Sequence, residues 1–179
     1  MELSFGQPVG SIVQYAYVVE SIDRAVSDYV DQLGVGPWFV RGPFHPPAAR
    51  YRGQPATAVF SLARAFSGHV MVELVEQHDD TPSVFHPDAG ERRYGFHHWA
   101  VFTDHFDVDV ERYGAVGYEE AYSDVLPSGA RIAYVETTPH LPGMLELVER
   151  TDAQERVYDT IYRASVGWDG SEPLRRSDI

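Results

Sequence analysis

Residues 11–19, SIVQYAYVV, return in altered form as residues 96–102, FHHWAVF, and this recurrence decides the fold. The first copy is an apolar strand followed by a helical stretch ending in Leu33-Gly34. The second is followed by a stretch ending in Val116-Gly117. Each half then closes on an apolar strand with one central glutamate, VMVELVEQ at 70–77 and GMLELVER at 143–150. Gln14 and His98 occupy equivalent places 84 residues apart, and Glu73 and Glu146 do so 73 residues apart. Self-similarity is read before any local signal because it sets the architecture. Two copies of a strand-rich unit, each offering two inward polar groups, can assemble one four-ligand metal site.

Working outward, residues 12–19 alternate as a half-buried strand does, with Val13, Tyr15, Tyr17 and Val19 on one face and Gln14, Ala16 and Val18 on the other. Ser21 is a suitable helix N-cap. Ile22, Ala25, Val26, Tyr29, Val30 and Leu33 fall at helical spacing, and Gly34 is a C-terminal stop. The Pro-, Gly- and Arg-rich stretch 41–55 reads as a long loop or ragged hairpin. Residues 57–66 and 69–77 read as strands, with Ser67-Gly68 as the turn between them. The second half repeats this order: a strand at 96–102, a helix at 104–113 ended by Gly114, two strands around Pro127-Ser128-Gly129, and the strand MLELVER. The expected organisation is a first β-α-β-β-β module at 10–78, a linker at 79–93, a second module at 94–150, and a C-terminal helix and tail at 151–179. In that helix Val157, Ile161 and Ala164 are in register. Trp168 is expected to pin the polar tail onto the domain, with the last residues mobile.

Composition narrows the classes. A chain of 179 residues suits one domain or two small fused modules. It has no cysteine, which excludes disulfides and thiolate zinc sites and fits a cytoplasmic setting. No signal peptide or membrane-length apolar run is visible. A net charge of -13 argues against nucleic acid as a partner, since phosphate binding needs a basic face. Eleven Tyr, nine Phe and three Trp serve core packing or a cavity for an apolar or ring-bearing ligand.

Alternation along the closing strands singles out the four positions. Glu73 shares a face with Met71 and Val75, opposite Val72 and Leu74; Glu146 shares one with Met144 and Val148, opposite Leu145 and Leu147. If the more apolar face packs on a helix, both carboxylates point the other way. Carboxylates on a concave sheet face are costly unless paired or bound to metal. Two carboxylates, one imidazole and one amide suit a divalent ion such as Zn, Ni, Co, Mn or Fe. The bland alternatives are a polar cavity hydrogen bond for Gln14 and solvated strand ends for the glutamates. Arg41, Arg50, Arg52 and Arg64 read as solvated rather than as an anion clamp, and His45, His69 and His140 as structural.

In VQYAYVVESIDRAVSDYVDQLG, HVMVELVEQ, FHHWAVF and MLELVER the chain resembles the vicinal oxygen chelate superfamily. Its members include glyoxalase I, methylmalonyl-CoA epimerase, extradiol dioxygenases and bleomycin-resistance proteins. The resemblance covers roughly residues 10–150. It implies an α+β fold in which paired modules form a U-shaped mixed sheet around a central cavity, often with a homodimer interface nearby. It implies one divalent metal ion held by Gln14, Glu73, His98 and Glu146, although many members carry His where Gln14 stands. Of the adjacent histidines, His98 aligns with Gln14 when counted from the strand's end, and His97 is expected to face the helix layer or solvent. By the same resemblance Glu146, and after it Glu73, is the general base of an isomerase, epimerase or lyase that stabilises an enolate. The aromatic, Pro-rich 38–60 region suggests a small apolar or aromatic carbonyl substrate contacted by Trp38, Phe39, Tyr51 and Phe60. The alternative is a ligand-sequestering protein of the bleomycin-resistance kind. An extradiol dioxygenase is disfavoured because Gln14 removes one His from the set such enzymes use for iron.

Overall fold

The computed structural model describes residues 1–88, 90–138 and 140–177. The first copy runs β1 (Ile12–Val18), α1 (Ile22–Leu33), β2 (Trp38–Phe44), a small hairpin of β3 (Arg50–Tyr51) and β4 (Gln54–Pro55), then β5 (Phe60–Ser67) and β6 (Val70–Gln77). The second runs β7 (Gly95–Thr103), α2 (Phe106–Ala115), β8 (Glu120–Val125), β9 (Arg131–Glu136) and β10 (Met144–Glu149). A long helix α3 (Asp152–Ser165) and a short strand β11 (Leu174–Arg176) follow. All the strands join one open, mixed sheet in the order β11-β2-β5-β6-β1-β7-β10-β9-β8-β3-β4. The expected α+β fold, a curved mixed sheet of two β-α-β-β-β units with a C-terminal helix, is the observed one. Among the described residues no helix is long and apolar enough to cross a membrane.

Local chemistry sets the helix ends. The Ser21 hydroxyl accepts from the Arg24 amide, and Gly34 closes α1 in the left-handed conformation at φ 63°. The second helix runs one residue past Gly114, to Ala115, and turns over Val116 and Gly117. Thr151 caps α3 by accepting from the Gln154 amide.

The two faces of the sheet have different work. On one face Leu74, Ala63, Ala65 and Trp38 pack under Ile22 and Val26 of α1, and Val135, Leu145 and Leu147 pack under α2. On the other, Met71, Val75, Ala100, Phe102 and Val148 form the main core with Phe5, Tyr158 and Ile161. Strand alternation therefore assigns Leu74 and Leu147 to the helices and their neighbours Glu73 and Glu146 to the opposite face, as the pattern requires.

Two features differ from the sequence reading. The buried stripe of α3 is Gln154, Tyr158 and Ile161, because the helix meets the phenylalanine cluster of Phe5, Phe66 and Phe102 rather than an aliphatic surface. The tail also contains a strand: β11 pairs in parallel with β2, Leu174 opposite Trp38. Trp168 does anchor it, its ring lying so close to Gly36 that a Cβ there would meet the ring at 2.6 Å. Residues 178 and 179, expected to be mobile, lie outside the described residues.

Candidate active site

The four singled-out residues stand on four successive strands at the middle of the sheet: Glu73 on β6, Gln14 on β1, His98 on β7 and Glu146 on β10. Register makes their equivalence explicit. Ala16 pairs with Glu73 and Ala100 with Glu146, and Gln14 and His98 each precede those alanines by two residues. In the central antiparallel pair Gln14 faces Ala100 and Ala16 faces His98, around a Tyr15–Trp99 midpoint. The two alanines are fully buried. Their methyl groups leave the floor clear for the longer side chains beside them.

The polar atoms converge. The Gln14 amide nitrogen donates to Glu146 Oε2 at 3.2 Å and lies 3.3 Å from His98 Nε2. His98 Nε2 is 3.3 Å from Glu146 Oε2 and 3.9 Å from Glu73 Oε1. The Tyr158 hydroxyl, from α3, donates to Gln14 Oε1 at 2.8 Å. All four residues are buried, His98 completely. Burial pushes Glu73 up to about 7, the Glu146 charge adding to the rise while His98 and Arg64 oppose it. Burial pushes Glu146 up to about 8, against the pull of Arg64 and a hydrogen bond from Tyr134. Burial also holds His98 down to about 4, so at neutral pH its contact with Glu146 is not an ion pair.

Gln14, Glu73 and Glu146 line one end of a cavity of about 540 Å³, with the fully buried His98 behind them and outside the lining. The cavity walls are Phe44, Phe60, Leu62, Phe85, Tyr122, Ile132 and Tyr134, with Pro46, Pro47, Leu126 and Pro127 further along and α3 supplying Val157 and Tyr158. Of the four residues expected to touch substrate, Phe60 lines the cavity. Trp38 does not: it is on the α1 face, its indole N–H donating to the Val35 carbonyl and its ring against Tyr29. Phe39 and Tyr51 are outside the lining as well; Phe39 lies under the Arg175 guanidinium and Tyr51 beside Arg52. A bulky aromatic in this region signals packing as readily as binding.

Arg64 corrects the reading of a solvated arginine. It is 9% exposed and lines the cavity, on β5 directly opposite Glu73. His97 also departs from expectation. Its ring packs on Phe85 and Tyr134, and its Nδ1 lies 2.8 Å from His98 Nδ1. Tyr134 and Tyr158 are two further residues of the site, beyond those the sequence pattern singles out. The strand alternation of Tyr134 with Ile132 and the helical spacing of Gln154, Tyr158 and Ile161 are the signals that mark them.

A divalent ion is the test of this donor set. Four ligands at about 2.0–2.2 Å in a tetrahedron lie roughly 3.3–3.6 Å apart. The contacts among Gln14, His98 and Glu146 fall at 3.2–3.3 Å. Glu73 stands farther off, and Gln14 turns its nitrogen inward while Tyr158 takes its oxygen. Accordingly no group of three His, Cys, Asp or Glu side chains among the described residues closes into a metal cluster. The two observations agree once the amide is counted. The donors suit a divalent ion, but they are arranged here by hydrogen bonds. A half-turn of the Gln14 amide would bring its oxygen inward, because the Tyr158 hydroxyl can accept as well as donate.

Comparison with known proteins fixes the family. The signature of the Glyoxalase/Bleomycin resistance protein/Dioxygenase superfamily matches residues 13–134. The chain belongs to this superfamily. Solved structures of similar fold include a hypothetical protein from Bacillus halodurans C-125, with a TM-score of 0.57, 14% identity, and coverage of 79% of this chain and 95% of that one. Methylmalonyl-CoA epimerase from Mycobacterium tuberculosis has a TM-score of 0.55 and 18% identity over 83% of this chain and 93% of that one. A methylmalonyl-CoA epimerase in complex with methylmalonyl-CoA and NH4+ has a TM-score of 0.54 and 17% identity, covering 82% and 98%. At these identities the likeness speaks for the glyoxalase fold. No protein of curated function matches the chain by sequence. The family match ends before α3, so Tyr158 comes from outside the matched region.

Proposed function

We propose that this member of the glyoxalase superfamily is an isomerase- or epimerase-type enzyme, dependent on a divalent metal, that removes a proton from the carbon beside a carbonyl group. The observation that carries this reading is the pair of buried carboxyls beside a neutral imidazole, at the floor of a mostly apolar cavity. A general base works best when its pKa lies near the working pH. Glu146, raised to about 8, meets that condition and receives hydrogen bonds from Gln14 and Tyr134 that hold it in place. Glu73, raised to about 7, is the second candidate. Gln14, Glu73, His98 and Glu146 would hold the metal, which supplies Lewis acidity at the substrate carbonyl when bound. The lining is mostly aromatic and aliphatic, with Arg41, Arg64, Asp124 and Arg156 among it, and favours a compact apolar or aromatic substrate. The epimerases among the fold neighbours support the reaction class rather than a particular substrate.

The inward-facing nitrogen of Gln14 favours a second reading, a ligand-sequestering protein without chemistry. Elemental mass spectrometry of untagged protein, with Glu73→Ala and Glu146→Ala variants, separates the two. About one divalent ion per chain, lost in both variants, supports the enzyme. Absence of metal after soaking with Zn, Ni, Co, Mn and Fe, with tight binding of apolar ligands, supports sequestration.

A further inference from the structure

The pairing of β1 with β7 is regular from Gln14 to Ala16 but shifts on either side. Gln14 pairs with Ala100 while Ile12 pairs with Val101, so Val13 is an extra residue; Ala16 pairs with His98 while Tyr17 pairs with Phe96, so His97 is one too. Val13 and His97 are 84 positions apart, the same interval that relates Gln14 to His98. Both copies therefore carry a β-bulge just before the polar residue of the first strand. A bulge re-aims side chains that simple alternation would send to opposite faces. That is why adjacent His97 and His98 meet ring to ring, where the sequence pattern separates them. In the first copy the bulge holds a fully buried valine. In the second it holds a side chain able to direct a proton.

The protons follow from the partners. His97 Nε2 lies 2.9 Å from the Val84 carbonyl oxygen, which can only accept, so Nε2 carries hydrogen. The two Nδ1 atoms lie 2.8 Å apart and share one proton between them. The His97 ring packs on Phe85 and Tyr134, and its two nitrogens are met by a carbonyl and an imidazole rather than a carboxylate, so nothing beside it supports a charged ring. A neutral His97 bearing hydrogen on Nε2 has a bare Nδ1. The shared proton then belongs to His98 Nδ1.

We propose that His97 is a positioning residue that locks His98 in its Nδ1–H tautomer and keeps the Nε2 lone pair facing Glu73 and Glu146. Without this partner a neutral imidazole 3.3 Å from a carboxyl oxygen would be free to place its hydrogen on Nε2 and donate to Glu146. It would then be unable to accept at that atom. The Gln14 amide nitrogen, 3.3 Å from Nε2, is a donor and matches the same assignment. Partners of this kind fix the tautomer of metal-binding histidines.

The purpose of the lock rests on the site described under the proposed function, but the tautomer itself does not. Nitrogen-15 correlation spectra of the histidine rings in metal-free protein at neutral pH read it directly. The expected result is His98 protonated on Nδ1 and bare on Nε2. A wild-type His98 bearing hydrogen on Nε2 would overturn the proposal, whatever the protein catalyses. His97→Val, which copies the first module's bulge, is expected to release His98 toward the Nε2–H form. His97→Asn, whose side-chain oxygen can accept from His98 Nδ1, is expected to restore the wild-type pattern. An unchanged tautomer in His97→Val would also overturn it. Zinc titration of the same proteins is expected to show affinity about 10–100-fold weaker in His97→Val and largely kept in His97→Asn. If none of them binds zinc, the spectra still decide the tautomer, and the failure falls on the metal-dependent function alone.

Discussion

Glu146 carries the sharpest demands of any residue in the cavity. Its carboxyl is desolvated, raised to about 8, and held by a donor on each side, Gln14 and Tyr134. As a base it works only when ionised, and a bound divalent ion favours the ionised form, so turnover of the metal-loaded protein is expected to rise with pH through a value below the metal-free one of about 8. Glu146→Gln keeps the shape and the buried position but removes the base. Its turnover is expected to fall about 10²–10⁴-fold with an unchanged far-ultraviolet spectrum. Full activity in a metal-loaded Glu146→Gln variant would move the role to Glu73. Tyr134→Phe tests the same residue from the other direction. The Tyr134 hydrogen bond favours the ionised carboxyl, so its loss is expected to shift the ascending limb of the pH–rate profile to higher pH. A shift toward lower pH would contradict the assignment.

At the scale of elements, α3 does more than cover the sheet. It lies outside the family match yet places the Tyr158 hydroxyl on Gln14 and closes one cavity wall. Tyr158→Phe keeps the ring against Phe5, Phe66 and Phe102. It is expected to cost about 1–2 kcal/mol, the effect of leaving a buried amide oxygen without its donor. Tyr158→Ala also removes the ring and is expected to cost about 3–5 kcal/mol. Urea unfolding of the two variants measures both, and equal losses would show that the hydroxyl matters little beside the packing. Legibility in the sequence followed the same division. The alternation in VMVELVEQ and GMLELVER placed Glu73 and Glu146 because a strand's two faces differ visibly in polarity. The strand β11 was not legible, since three residues in a polar tail carry no period. Nor was the position of His97, because a bulge breaks the alternation from which faces are read. Trp38 misled for a third reason: an indole fills a core slot under α1 as well as it lines a cavity. Arg64 was misplaced because β5 is apolar on both faces, and one charged residue within it does not reveal which face bears the cavity.

For the whole molecule, the site is a cluster of groups that folding prefers to keep neutral, and this shapes stability against pH. Glu73 and Glu146 keep their protons to about 7 and 8 in the folded chain, against an ordinary value of 4.5. Between about 4.5 and 8 the unfolded chain thus holds fewer protons than the folded one, and stability falls as pH rises. His97 and His98 behave oppositely. Their folded values, about 3 and 4, lie below the ordinary 6.5, so stability falls as pH drops beneath 6.5. From about 4.5 to 6.5 the two pairs oppose one another; above that window the carboxyls act alone. Metal-free protein is therefore expected to show a broad stability plateau between about pH 4.5 and 6.5 and a decline toward pH 8, measured as urea midpoints across a pH series. Glu146→Gln removes one of the two carboxyls and is expected to make the alkaline decline shallower. A bound divalent ion favours both carboxylates in their ionised form, so adding the metal is expected to reverse the decline, with midpoints rising toward pH 8. Metal-free midpoints that climb from pH 6.5 to 8 would mean that the carboxyls are already ionised at neutral pH, and the buried base would lose its physical basis.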